Sequence, residues 1–363
     1  MHTKFNMDEW MVTATSTKPI FLSARVRLAR NLMHYPFPQQ ASEKQRKEIF
    51  DTCSDVIMQS DGNNASICLQ LDALDELTCT SLMEAHQISV DLAKNKVGAG
   101  VILNKKNKFA FMINEEDHLR LQVLDVQPNF KILWRRLDRL DSCLEQYLDY
   151  AFQPHLGYLT ACPTNLGTGI RASAMLHLPG LVFTNQHMQV GRSLAEMGMI
   201  LRGVYGEQSK AIGHIFQVSN QTSLGFSENE LLDRVEHVIH LLVKKETEAR
   251  KKLLRTTPHE LFDNIGRALG ILRACFEVGA EEATNLLSLI ILAVDLGFFP
   301  KEKRRILYKI KQEIQPAHLQ LLLPQPLKGK ELNRERAKLL HRYFLKFPEP
   351  DFKVKKEEVN YVS

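Results

Sequence analysis

Apolar and polar positions change period along the chain. Pro19–Arg30 opens on Ile20-Phe21-Leu22 and then alternates through Arg25, Val26, Arg27, Leu28, Ala29 and Arg30, which predicts an edge-like strand with basic residues at short spacing. Ser42–Met58 carries apolar residues at helical spacing behind a Ser42 cap. Lys108–Asn114 reads as a short apolar strand ending in a charged turn, and Leu137–Ala151 as a helix with Leu140, Leu144, Tyr147, Leu148 and Ala151 on one side. Gly157–Leu178 reads as a strand, a glycine-rich loop and a helix start, with further short strands at Pro179–Phe183 and Gly213–Val218. Ser227–Glu248 is a long amphipathic helix opened by a Ser-Glu-Asn-Glu cap. From Pro258 the period is helical throughout, at Glu260–Phe276, Glu281–Leu292, Lys301–Ile314 and Glu331–Phe344. The longest apolar run, near Leu286–Leu292, falls far short of the ~18 residues of a membrane span.

This order predicts an α+β fold. Strands joined by irregular connections favour an antiparallel sheet flanked by helices in the first part, followed by an all-α domain. The expected division is an extension at 1–19, a mixed unit at 20–250, a helical domain at 251–347 and a frayed tail at 348–363. At 363 residues, with 44% apolar and 25% charged, composition excludes a disordered chain, a collagen-like repeat and a disulfide scaffold. The net charge of +5 conceals a basic C-terminal segment: residues 301–363 hold 16 Lys and Arg against 8 Asp and Glu. Such a segment is either a solvated helical surface or a face for a phosphate-bearing or acidic partner. The six cysteines form no C-x-x-C pair, so zinc and dithiol signals are absent. Met1–Trp10 has charges and no apolar h-region, so the expected compartment is a reducing cytoplasm.

The chemistry-bearing segments share one theme, arginine beside loop glycines and carboxylates. Arg25 and Arg27 lie two residues apart on one strand face. Glu115, Glu116, Asp117, His118 and Arg120 cluster after the Lys108–Asn114 strand. Cys162–Arg171 is a turn-rich loop, and Arg202–Glu207 is a glycine-bounded loop with one arginine and one carboxylate. No P-loop and no dinucleotide fingerprint is present. Guanidiniums converging from separate loops are another way to hold a triphosphate, because each is permanently charged and binds phosphate bidentately. A pair of carboxylates suits a guanidinium acceptor, since each accepts its fork and orients a nitrogen in line. Glu116 and Glu207 are the candidates. Taken alone, each arginine is a surface ion-pair partner and Glu115–Asp117 a solvated acidic turn.

Together these segments resemble the signatures of the ATP:guanido phosphotransferase (phosphagen kinase) family. Asn114-Glu115-Glu116-Asp117-His118-Leu119-Arg120 resembles its N-E-E-D-H-x-R element. Cys162–Ser173 is similar to its C-P-[ST]-N-x-G-T-x-x-R-A-S segment, and Ser23–Arg27 to its S-x-R-[VI]-R element. Within the family the likeness is to the bacterial protein-arginine kinase branch (McsB type). Three features carry it: the start almost directly at the arginine strand, the Arg202-Gly203-Val204-Tyr205-Gly206-Glu207 loop, and Ser219-Asn220-Gln221-Thr222-Ser223-Leu224-Gly225. The helical extension also fits.

The resemblance implies transfer of the γ-phosphate of ATP, with Mg2+, to arginine in proteins. Arg25, Arg27, Arg120, Arg171 and Arg202 would grip the phosphates. Ser23, Ala24, Val26, Ala172, Ser173, Ala174, Met175, Gly203, Val204, Tyr205, Gly206 and Glu207 would line the nucleotide pocket through their backbones, and His86 would add a further contact. Glu116, Glu207 and Cys162 would serve the guanidinium, with no metal ligand from protein side chains. The implied partners are proteins with exposed arginine, a zinc-binding activator, a Clp-type protease in quality control or stress, and a second copy in a homodimer; nucleic acid and membrane are not among them. A small-molecule arginine or creatine kinase, or a catalytically weak phosphoarginine- or client-binding adaptor, are the alternatives. The family's R-D-x-x-R-A phosphoarginine motif survives here only as Arg336 and Ala337.

Overall fold

The computed structural model describes residues 18–60, 66–104, 106, 108–204 and 211–353. The first strand, β1 (Phe21–Arg30), has the expected alternation: Ala24, Val26 and Leu28 are buried and alternate with partly buried Arg25 and Arg27. It is not an edge. In chain order there follow α1 (Glu43–Ser60), β2 (Ser66–Gln70), α2 (Glu76–Glu84), α3 (Val90–Lys94), β3 (Gly100–Asn104), β4 (Phe109–Ile113), β5 (Leu119–Asp125) and α4 (Phe130–Leu144). A two-residue pair, β6 (Phe152–Gln153) and β7 (Gly157–Tyr158), leads through a 3-10 turn at Pro163–Asn165 to β8 (Ile170–His177). Then come α5 (Pro179–Phe183), α6 (His187–Glu196), β9 (Met199–Gly203), β10 (Ile215–Asn220) and α7 (Glu228–Thr256). The sheet is antiparallel throughout, in the order β2-β3-β4-β5-β1-β8-β10-β9, so β1 and β8 lie at its middle.

One face of the sheet packs on α1, α4 and α7 through a core that includes Val26, Leu28, Leu121, Ala172, Ala174 and Leu176. The opposite face is apolar only at one side. There Val101, Leu103, Ala110 and Met112 meet Leu71, just after β2, and Cys79, Leu82 and Leu92 of the α2–α3 segment. From β5 across to β9 that second face is polar, and it holds the site.

Several elements depart from the sequence reading. The helix expected at Leu137–Ala151 is α4, which starts at the Asn129 cap and buries Phe130, Leu133, Leu137 and Leu144; Tyr147 beyond it is 68% exposed. Pro179–Phe183 is a short helix with Pro179 at its first position, where a missing N–H costs nothing. The helix start expected before Leu178 is instead the central strand β8. Its Ala-Ser-Ala-Met run favours helix locally, but pairing with β1 and β10 on both sides overrides that preference.

Five helices complete the described chain: α8 (Pro258–Ala274), α9 (Ala280–Asp295), α10 (Lys303–Glu313), α11 (Pro316–Leu321) and α12 (Gly329–Phe344). They share a second core built on Leu269, Leu287, Ile291, Leu307, Leu340 and Phe344. The Ser227–Glu230 capping box opens α7 as read, and the helix runs on to Thr256, before the Pro258 that starts α8. Among the described residues no helix is long and apolar enough to cross a membrane.

Candidate active site

Strand register decides which side chains share a face. Arg27 stands opposite Gln122 on β5 and Arg171 on β8; Arg25 stands opposite Leu124 and Ser173; Ala29 stands opposite Arg120. On the other side Ser173 pairs with Ser219, Met175 with Gln217, and Gln217 with Arg202. Directly opposed residues of an antiparallel pair project to the same side. Arg25, Arg27, Arg120, Arg171 and Arg202 therefore all stand on the polar face, drawn from four strands. Ser23, Ser173 and Met175 share it. Ala24, Val26, Ala172 and Ala174 do not: their side chains are buried among the helices on the opposite face, leaving only their backbones on the strands of the site.

Among the described residues this face is short of negative charge. Arg120 pairs with Glu115, Arg25 donates to Gln217 Oε1 at 3.0 Å, and Arg171 donates to Ser219 Oγ at 3.3 Å. Arg27 Nε and Arg171 Nε are buried with no partner among the described residues. Burial, followed by the charges of Arg120 and Arg171, pushes Arg25 down to about 10. Burial and then Arg25, Arg120 and Arg171 lower Arg27 further. Arg171 is lowered by burial and by Arg202 and Arg120, against the opposing charges of Cys162 and Glu116. Gathered cations of this kind repel one another, and an anion placed among them would relieve that repulsion.

At one end of the face lies the turn Asn114–His118. Asn114 adopts a left-handed φ of 58°, and its N–H donates to His118 O at 2.9 Å to close the turn. Its side-chain amide donates to Arg46 O and Gly98 O, both at 2.7 Å. His118 Nδ1 accepts from Leu32 N at 3.0 Å while Nε2 donates to Pro36 O at 2.9 Å, and burial holds this ring down to about 4, hence neutral. Asp117 Oδ1 accepts from Asn31 Nδ2 and from Ala161 N, both at 2.7 Å, tying the turn to the segment that carries Cys162. A second tie comes from Arg30. Its guanidinium donates to Thr168 O at 2.9 Å, pairs with Asp141 at 2.6 Å and lies over the Tyr158 ring. Beside it Gly169 has a φ of +70°, and a Cβ there would stand 2.6 Å from Ala29 O and from Arg30 Nη1.

These ties bring Glu116 and Cys162 together. Cys162 hydrogen-bonds Glu116, and its Sγ lies 3.0 Å from Thr164 Oγ1. Burial, then the charges of Asp117 and Glu115, raise the Glu116 carboxyl above the ordinary glutamate range, with Arg120 and Cys162 opposing. Glu207, Tyr205 and Gly206 lie outside the described residues; Gly203 and Val204 lead towards them, with Val204 N donating to Ile215 O at 2.9 Å. His86 enters from the loop after α2 at a φ of 57°, and its carbonyl accepts from Gln122, the residue directly across from Arg27, at 3.4 Å. Burial and then Arg25 push this ring down to about 3.

The acidic segment is not a solvated turn, since Glu115 and Asp117 are buried. Gln217 and Ser219, the neutral partners of Arg25 and Arg171, carry no motif signal. The alternation Phe216-Gln217-Val218-Ser219 was the one available hint, placing both opposite the apolar side of a strand. Arg336 and Ala337 sit apart, on α12. Arg336 is fully buried and donates to Ile314 O, Val278 O and Asn333 Oδ1 at 2.8, 3.0 and 2.6 Å, so it fastens its own domain.

Residues 48–249 match the model of the ATP:guanido phosphotransferase C-terminal catalytic domain, and residues 258–355 that of the protein-arginine kinase McsB C-terminal domain. A protein-arginine kinase of Clostridium acetobutylicum is 36% identical over 332 residues, covering 91% of this chain and 98% of that protein. One from Symbiobacterium thermophilum is 39% identical, covering 92% and 95%. Among solved structures, the duplicated taurocyamine kinase of Schistosoma mansoni with transition-state analogue components has a TM-score of 0.58 at 23% identity, over 70% of this chain and 39% of that one. Lombricine kinase has a TM-score of 0.55 at 24% identity, over 64% and 67%. These two share the fold.

Proposed function

The chain belongs to the ATP:guanido phosphotransferase family, and we propose that within it the chain acts as a protein-arginine kinase. The observation that carries this reading is the row of five guanidiniums on one sheet face, with the carboxylate of Glu116 at its end. In this reading Arg25, Arg27, Arg120, Arg171 and Arg202 take the triphosphate. Arg120, held by Glu115, and Arg171, with its unpartnered Nε, stand nearest the reacting end. Glu116 accepts the substrate guanidinium and fixes one nitrogen in line, with Cys162 beside it and Glu207 as the second carboxylate. The terminal phosphorus–oxygen bond breaks, a nitrogen–phosphorus bond forms, ADP leaves, and the nitrogen gives its proton to the carboxylate. The protein contributes position and charge stabilisation, as in phosphoryl transfer generally. Mg2+, when bound with the nucleotide, draws charge from the phosphate oxygens. We propose the phosphate oxygens of the nucleotide as the ligands of that ion. The proposed clients are proteins with exposed arginine, marked for Clp-type degradation.

Incubation with ATP, Mg2+ and an arginine-bearing protein should give acid-labile phosphate on arginine, located by mass spectrometry, with protein arginine turning over faster than free arginine. Acid-stable label would defeat the assignment, and equal turnover of free arginine would favour the small-molecule alternative. Arg171→Lys keeps the charge but loses the planar fork, so it should weaken ADP binding by about 1.5–3 kcal/mol in a calorimetric titration. Alkylation of Cys162 should slow severalfold when MgATP and an arginine peptide are bound together, and not with either alone. Equal alkylation in all cases places Sγ outside the shared pocket.

A further inference from the structure

The helical domain touches the catalytic unit next to the polar face. Glu84, at the end of α2, accepts from Ala317 N at 2.9 Å and His318 N at 3.1 Å, the open first turn of α11, and its Oε2 lies 2.7 Å from His318 Nδ1. Two residues later the same loop presents His86. On the other side, Gly213 sits just before β10 with a φ of +66°. Its N–H donates to Asn285 Oδ1 of α9 at 2.7 Å, and a Cβ there would stand 2.8 Å from Thr284 Cγ2. Between these contacts α10 extends Lys311, whose Cε stands 3.9 Å from where that Cβ would be. Among the described residues Lys311 has no ion-pair partner. Its charge acts on both His86 and His177, and burial pushes its ammonium down to about 8.

The position of Lys311 along the face is informative. Ile215, two residues after Gly213, pairs with His177, which follows Met175 on the polar side of β8. Arg120 and the Glu116 turn lie level with Ala29, whereas Met175 lies level with Ser23. Six residues of strand separate those levels, about 20 Å. If the terminal phosphate meets Glu116, the nucleoside must point the other way, past Arg25 towards His86 and Lys311.

We propose that Lys311, supplied by the helical domain, is a nucleotide-binding residue that donates hydrogen bonds to the nucleoside end of ATP, so that the C-terminal domain completes the catalytic domain's nucleotide site. An ammonium has three donors for ring nitrogens and ribose oxygens, and among the described residues none of the ion pairs takes this one. The inference rests on the kinase reading above. It goes further by making nucleotide affinity depend on how the two domains are docked.

The test uses the full chain. Lys311→Met keeps the aliphatic stem and removes the donors. It should weaken ADP binding about tenfold, the worth of one hydrogen bond to a charged group, while inorganic tripolyphosphate binds as before. Arg171→Lys should weaken both. Unchanged ADP affinity in Lys311→Met, beside a loss in Arg171→Lys, overturns the Lys311 inference alone; no loss in either variant overturns the kinase site with it. Equal losses of ADP and tripolyphosphate would put the lysine on the phosphates and overturn the nucleoside placement. Limited acetylation of the unaltered chain, read by mass spectrometry, gives a measurement free of folding effects. ADP should protect Lys311 and tripolyphosphate should not, and labelling at the same rate with and without ADP also overturns the proposal.

Discussion

Glu116→Gln should abolish transfer of phosphate to arginine while ADP still binds. The amide keeps the size of the side chain and its place beside Cys162, but it accepts one fork of a guanidinium poorly and takes no proton. Loss of a positioned general base typically lowers the rate by about 10²–10⁴-fold, and a mis-set nitrogen adds to that. Nucleotide affinity should survive because in the proposed site the arginines, not Glu116, take the phosphates. The pH profile offers a second readout. Burial and the neighbouring charges of Asp117 and Glu115 raise the Glu116 carboxyl. The working form is the carboxylate, so activity should fall on acidification at a higher pH than an ordinary glutamate, at about 4.3, would give. That acid limb should be missing from whatever rate the Gln variant retains. A variant that labels arginine at the normal rate would remove Glu116 from the reaction.

How far the sequence reveals this site depends on where each group's information lies. Arg25 and Arg27 were legible as face-mates because strand alternation is a local rule, and the buried Ala24, Val26 and Leu28 between them obey it. The capping box at Ser227 and the helical period after Pro258 were legible for the same reason. β8 was not, because Ala-Ser-Ala-Met has weak strand preference and is extended only through partners about 40 and about 150 positions away. Nor could periodicity show that Arg120 and Arg202 join the same face, since that follows from register across β5, β1, β8, β10 and β9. The resemblance implies a role for them; the pairing places them on one face. Lys311 was hidden twice over. It sits in a helix whose basic surface reads equally as solvated or as a face for an acidic partner, and its place beside Gly213 follows from the packing of α9 against the turn before β10.

The same docking explains the largest expected effect on stability, from Arg250→Ala. Arg250 is fully buried near the end of α7, where the two hydrophobic cores meet. Its Nε pairs with Glu246 at 2.6 Å, Nη1 with Asp295 of α9 at 2.9 Å, and Nη2 donates to His177 O at the end of β8 at 3.2 Å. Glu246 in turn accepts from Gly180 N at 2.8 Å and Leu181 N at 2.9 Å, while Asp295 keeps Arg304 at 2.8 Å. Removing the guanidinium leaves Glu246 buried without its cation, and burial already raises that carboxyl. Breaking a buried pair from one side costs about 3–5 kcal/mol, far more than an exposed pair is worth. The midpoint of urea unfolding should therefore drop sharply for Arg250→Ala, and much less for Arg267→Ala, whose exposed pair with Asp263 has the same helical spacing. Adding Glu246→Leu to Arg250→Met should recover only part of the loss. It removes the stranded charge, but it also strips the N–H groups of Gly180 and Leu181 of their acceptor. Full recovery would mean that the carboxylate's bonds to α5 contribute nothing, and no loss in Arg250→Ala would mean that the junction is held by its apolar contacts alone.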